Sequence, residues 1–145
     1  MRFLLDENET SAILDPLRFI YKGHQFEHAS DVFGKGTLDL DLIPQMRNAG
    51  FDCLITRDGN QLQIDAERQA LVEHGIHWIG HRKPPGKGAH MISTLTATYV
   101  AAFPHIIGAL KNATESRSIR VYNFPVTPNK WVRVQDIDPL KHTPI

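Results

Sequence analysis

Apolar residues follow two rhythms along this chain. Phe3-Leu4-Leu5, "DCLIT" (52–56) and "IHWIG" (76–80) are short unbroken apolar runs, the pattern of strands buried on both faces. "HQFEHA" (24–29) alternates and reads as a further strand, and "SIRVYNF" (118–124) and the shorter "KWVRV" (130–134) read as two more. Between them lie segments of helical period. Ile13, Leu14, Leu17, Ile20 and Tyr21 recur at helix spacing and Gly23 ends the run. Within it, either Asp15 caps a fresh start with Pro16 at the first helical position, or the helix kinks there. A second helix runs from Asp39 or Asp41 to Ala49 and stops at Gly50, and a third from about Ala66 to His74 before Gly75. A long one from Met91 to Asn112 carries Ile92, Leu95, Tyr99, Phe103, Ile106, Ile107 and Leu110, with Pro104 placed to kink or split it. "SDVFGKGT", "RDGN" and "HRKPPGKGAH" read as loops.

Strands alternating with helices over residues 1–80 predict βαβ units, and right-handed crossovers then cover both sheet faces. The expected fold class is a three-layer α/β/α sandwich with a mainly parallel sheet. At 145 residues the length suits one domain, with a core over 1–80 and a basic helix–strand extension over 81–145. The expectation is of no membrane segment and no signal peptide. The single Cys53, inside an apolar run, excludes an internal disulfide framework, suits a reducing cytoplasm and most simply fills core space.

The candidate chemistry lies in the acidic residues. Ligands of parallel sheets collect beyond the carboxyl ends of the strands, and acidic positions from three parts of the chain fall at such ends. Asp6 follows the first strand, Asp58 the third, and Asp39 and Asp41 open the helix after the second. Each has a plain role: Asp39 or Asp41 as a helix cap, Asp58 as a turn residue paired with Arg57, Asp6 as part of a solvated loop. Together they imply like charges at one edge, which cost energy unless a cation offsets them. Oxygen-only donors suit Mg²⁺ or Mn²⁺, and the chemistry implied is metal-assisted attack on a phosphate ester. Within "DENE", Asp6 is the metal ligand, Glu7 an undecided second acid and Asn8 a neutral neighbour, while Glu9 favours the start of the following helix through its dipole.

"FLLDEN", the Asp-bearing helix start in "GKGTLDLDLIP", and "LITRD" followed by "AERQAL" together resemble the PIN-like nuclease family, in the branch of VapC-type toxin ribonucleases. The likeness runs through residues 2–80 and continues more weakly to "FPHIIGAL". It implies a PIN-like fold and a metal-dependent endoribonuclease that hydrolyses RNA phosphodiesters with Mg²⁺ or Mn²⁺. By the resemblance Asp6, Asp39 and Asp58 hold the metal and carry catalysis. Thr56 is the hydroxyl of the "Thr-x-Asp" motif, and Asn8 and Arg57 are supporting residues. Glu7, Asp41 and Asn60 are further supporting candidates, and Asn60, Asp65 and Glu67 compete as a fourth donor. The implied partners are RNA, a small antitoxin encoded alongside, and a second copy in a homodimer. The chain departs from the branch at Glu9-Thr10, where Leu-Pro or Leu-Ser is common.

Other constellations bear on function. Residues 1–80 hold 13 acidic and 7 basic side chains, and residues 81–145 hold 3 and 9. Either the surface is simply solvated, or a basic rim serves the acidic site. Arg82, Lys83 and Lys87 are the expected RNA-binding residues, with Arg117, Arg120, Lys130 and Arg133 as later phosphate contacts. Trp131 and Trp78 are candidates for base stacking, although Trp78 reads as core. A zinc site using His77, His81 and His90 is disfavoured with one cysteine present, and His81 and His90 are expected in a solvent-facing loop. Asp6 and Asn8 also stand where haloacid-dehalogenase-like phosphatases carry two aspartates. Asn8, however, cannot act as a general acid, and no later acidic pair follows. A catalytically inactive binding module is the remaining alternative.

Overall fold

A computed structural model describes residues 1–37, 39–57 and 62–124, together with 132, 134, 135 and 137; of Asp39 it describes the backbone. Five strands, β1 (Arg2–Leu5), β2 (Gln25–His28), β3 (Cys53–Thr56), β4 (His77–His81) and β5 (Ser118–Val121), form one sheet in the order β2-β1-β3-β4-β5. Every pairing is parallel. The helices are α1 (Leu14–Ile20), α2 (Ala29–Phe33), α3 (Asp39–Asn48), α4 (Asp65–Glu73) and α5 (Ala89–Leu110), with a short 3-10 helix, Ser11–Ile13, leading into α1.

The unbroken apolar runs are explained by the period of two along a strand, since both faces are covered. Phe3, Leu5, Cys53, Ile55 and Ile79 face one layer with Leu14 and Leu17 of α1 and Leu95, Tyr99, Phe103 and Ile106 of α5. Leu4, Leu54 and Trp78 face the other with Leu42, Ile43 and Met46 of α3 and Leu71 of α4. The fold is thus the expected α/β/α sandwich. Phe103 anchors the first layer, its ring edge-on to Phe3 at 5.0 Å and to Phe26 at 5.1 Å. Cys53 is fully buried, and burial pushes its thiol up, with the Asp52 charge adding to the effect. It fills core space.

Several local expectations are corrected. "SDVFGKGT" is not all loop. His28 ends β2 and its Nδ1 accepts from Ser30 N–H, capping α2. The 3-10 helix carries the chain into α1, so Pro16 falls in the first turn of α1, where backbone N–H groups lack helical partners anyway. The entrance is capped by Thr10, whose Oγ1 accepts from Ala12 N–H at 3.2 Å, rather than assisted by Glu9. Because α3 already begins at Asp39, Pro44 lies inside the helix rather than in its first turn. "SIRVYNF" is strand only to Val121, and most of "KWVRV" lies outside the described residues. Among the described residues α5 is long and apolar enough to cross a membrane by length and composition, against the expectation that no run reaches that length. Here it buries one face against the sheet.

Two glycines are dictated by close approach. At Gly50 (φ +84°) a Cβ would meet Arg2 Nη1 at 3.1 Å. Arg2 also holds the α3–β3 connection by donating to Ala49 C=O and by lying over the Phe51 ring, 4.2 Å from its centre. At Gly80 a Cβ would fall 1.9 Å from the Trp78 indole, so the ring lies across β4 only because position 80 has no side chain. Trp78 is core, as expected.

Pro104 does not split α5. A proline has no N–H for the carbonyl four residues back, here that of Val100. The Tyr21 hydroxyl, on the segment ending α1, donates to that carbonyl. Tyr21→Phe is therefore expected to cost about 1 kcal/mol in urea unfolding. In a double-mutant cycle the same change should cost clearly less in a Pro104→Ala background, where residue 104 can supply its own N–H.

Candidate functional site

In a sheet of order 2-1-3-4-5, connections leave β1 and β3 in opposite directions, opening a crevice beyond their carboxyl ends. Asp6 stands there. Its N–H donates to Ile55 C=O at 2.9 Å, extending the β1–β3 ladder one residue. Its Oδ2 accepts from Thr56 Oγ1 at 3.0 Å. Asp6 is 8% exposed and Thr56 fully buried. A carboxylate so far from solvent requires such donors.

The acids of "DENE" do not share one site. Glu9 N–H donates to Asp6 C=O at 2.9 Å, which closes a turn and sends three carboxylates in three directions. Glu7 Oε2 accepts from Gly36 N–H at 2.7 Å, tying the loop before α3 to the turn after β1. Asp39, three residues past Gly36, is the first residue of α3. Glu9 turns inward and is 6% exposed. Its Oε2 lies 3.2 Å from His81 Nε2, and its C=O accepts from His28 Nε2 at 2.8 Å.

His81 is the buried last residue of β4, not part of a solvent-facing loop. The Tyr99 hydroxyl bonds its Nδ1. Burial, with the Glu9 charge added, holds the Tyr99 phenol well above the ordinary value, so it stays protonated. The Glu9–His81 contact has ion-pair distance without hydrogen-bond alignment. Among the described residues His81 Nε2 and Glu9 Oε1 are buried with no hydrogen-bond partner. Sequence reasoning does not find Glu9, His28, His81 and Tyr99 as site residues. Their partners are far apart in sequence.

The remaining candidates divide by location. Asn8 and Arg57 line one cleft beside Asp6 and Thr56. Asp41 is exposed on α3. Asp65 opens α4 and pairs at its surface with Arg68 at 2.7 Å, while Glu67 is buried in α4. Asp58 and Asn60 lie outside the described residues. Arg82, Lys83 and Lys87 are placed just past β4, at the same carboxyl edge as Asp6. Arg117 is not on that rim. Its N–H donates to His77 Nδ1 at 3.0 Å at the opposite edge, and Arg120 lies over Trp78 within β5. Lys130, Trp131 and Arg133 lie outside the described residues.

A family model described as a PIN-like domain matches residues 1–82. The chain belongs to the PIN-like domain family. The match ends just past His81, so it takes in β1 to β4 and leaves α5 and β5 of this PIN-like protein outside. No curated protein and no solved structure matches the chain.

The Tyr99 environment predicts an alkaline limit. Its phenol ionises less readily folded than unfolded, so its contribution is fully present below the ordinary tyrosine value of 10.0 and falls as pH rises above it. Urea unfolding between pH 8 and 11 should show a steeper loss for the wild type than for Tyr99→Phe. At pH 8 that variant should be about 1–3 kcal/mol less stable, because it leaves His81 Nδ1 buried without its partner.

Proposed function

We propose that this PIN-like protein is a divalent-metal-dependent endoribonuclease, the toxin of a VapC-type toxin–antitoxin pair, acting in the cytoplasm. The observation that carries the reading is the buried Asp6–Thr56 pair at the β1/β3 crevice, in a turn whose Glu7 accepts from Gly36 in the loop before α3. The Asp6 carboxylate and the Thr56 hydroxyl offer oxygen donors of the kind a hard cation takes. Asp6, Asp39 and Asp58 hold Mg²⁺ or Mn²⁺ in this reading. When bound, the ion supplies an activated water and neutralises charge developing on the phosphate.

The chain's own groups supply the rest. Thr56 fixes the Asp6 carboxylate by its hydrogen bond, and Glu7 holds the α3 entrance in register. In this reading Arg57 and Asn8, which line one cleft, contact the RNA strand on either side of the scissile phosphate. Arg82, Lys83 and Lys87 draw the polyanion to this edge. A small antitoxin encoded beside this chain is the regulator implied, and a homodimer the assembly.

Pure protein with Mn²⁺ or Mg²⁺ should cleave single-stranded RNA, and EDTA or Asp6→Asn should abolish cleavage. Asp6→Asn should likewise relieve growth arrest on expression. RNA left intact at high protein concentration, with metal bound, would instead identify a binding module. Lys83→Glu with Lys87→Glu should weaken cleavage and lower its salt dependence, by about 0.7 in log–log slope for each phosphate no longer neutralised. An unchanged slope removes these lysines from the RNA path.

A further inference from the structure

Along the same carboxyl edge, β4 and β5 run out side by side. Their register ends with His81 opposite Val121, so Arg82 and Tyr122 are the first residues past the ladder. They line one cleft of about 220 Å³ together with Arg120, Val121 and Asn123. Two bonds fix the backbone there. Asn123 Nδ2 donates to Arg82 C=O at 3.0 Å, joining the segment after β5 to the segment after β4. Phe124 N–H donates to Thr98 Oγ1 on α5, also at 3.0 Å. Tyr122, held by the ladder before it and these bonds after it, is nevertheless 81% exposed. A lone exposed aromatic is ordinary, but the neighbours of this one give it chemistry. Arg82 and Arg120 are exposed, neither pairs with a carboxylate among the described residues, and no described acid lines the cleft. Arg120 rests over the Trp78 ring, 5.9 Å from its centre, and a guanidinium stacked on an aromatic face keeps its planar fork of N–H donors for an anion.

We propose that this cleft is a platform for single-stranded RNA, with one base stacked on Tyr122 and the adjoining phosphates held by Arg82 and Arg120; the proposal rests on the RNA-cleaving reading above. Stacking needs an open base face, and a base inside a duplex has both faces covered by its neighbours, so the platform takes unpaired strand. Every base has a π-face, so any of the four fits. Tyrosine offers a large rigid surface with only two torsions to order, and a backbone already pinned lowers the cost of ordering further. From Asp6 at the end of β1 to β5 is three strand spacings, about 14 Å, a distance that a short run of nucleotides bridges along the edge past Arg82. Tyr122 therefore holds the strand without touching the reacting atoms. Its loss should raise KM and leave kcat unchanged. Arg120 and Tyr122 lie beyond residue 82, where the PIN-like match ends, so the platform is a feature of the segment that this chain adds to the family core.

The test begins without metal. The full chain in EDTA is titrated, at several salt concentrations, with fluorescent oligouridylate, with an abasic strand of the same length and with duplex RNA. Tyr122→Ala, an exposed change that leaves the core intact, should weaken oligouridylate about tenfold or more with the salt slope unchanged, since no phosphate contact is lost. The abasic strand and the duplex should bind that variant as they bind the parent. Tyr122→Trp should retain affinity, and oligouridylate should quench its added indole fluorescence. Arg82→Gln with Arg120→Gln should lower the log–log salt slope by about 0.7 for each phosphate no longer neutralised. The platform is overturned if Tyr122→Ala leaves oligouridylate affinity within about twofold or weakens the abasic strand equally. An unmoved slope in the arginine variant, or no RNA binding by the parent at low salt, overturns it too. Added Mn²⁺ then separates the two readings. Asp6-dependent cleavage with a KM indifferent to Tyr122→Ala overturns the platform and spares the nuclease. Base-dependent binding through Tyr122 without cleavage at any metal concentration overturns the nuclease alone.

Discussion

The hydrogen-bonded join between β1 and β3 at Asp6 and Thr56 is the constraint on which this edge of the molecule depends. The backbone bond from Asp6 to Ile55 continues the parallel ladder past the end of β1, and the Thr56 hydroxyl meets the Asp6 carboxylate in a buried setting. With the ladder carried that far, Asp6 does not swing into solvent as a loop aspartate would. A buried carboxylate hydrogen-bonded in this way keeps one orientation. The phenylalanine cluster under β1 and β2 and the α5 helix across it keep the two strands in register.

The turn after β1 converts local repulsion into separate tasks. By bonding Glu9 N–H to Asp6 C=O it directs Asp6 to β3, Glu7 to the loop before α3, and Glu9 into the interior toward β4. His28 grips the same turn from β2 while capping α2. One four-residue turn is therefore tied to three strands and to the approach to α3. The cost is a buried Glu9–His81 contact without good hydrogen-bond alignment. Tyr99 completes the far side of the imidazole, and the near side faces Glu9.

An all-parallel sheet also explains the charge asymmetry. Every strand ends at the same edge, so the loop after β4 presents Arg82, Lys83 and Lys87 beside the acids that follow β1. The opposite edge receives Arg117, spent there on the Ala109 carbonyl at the end of α5. Among the described residues, Arg82, Lys83 and Lys87 thus follow β4 at the acidic edge, while Arg117 and Arg120 make structural contacts elsewhere.

Much of this was written in the sequence, because it depends on period and local chemistry. Unbroken apolar runs between helical segments specify a parallel sheet covered on both faces, and an acid directly after such a run must emerge at the carboxyl edge. Asp6, Thr56 and the first turn of α3 were legible for that reason, as were the core roles of Cys53 and Trp78. What sequence could not decide were contacts between residues far apart. His81 reads as the start of a basic loop until β4 is seen to run one residue further and Tyr99 of α5 to cross behind it. Glu9 reads as a helix-start acid until the turn points it inward. Pro104 reads as a break until Tyr21 supplies the missing donor. Periodicity fixes which face a residue shows, but only tertiary packing decides which distant group waits on that face, and the partners of buried polar atoms are settled there.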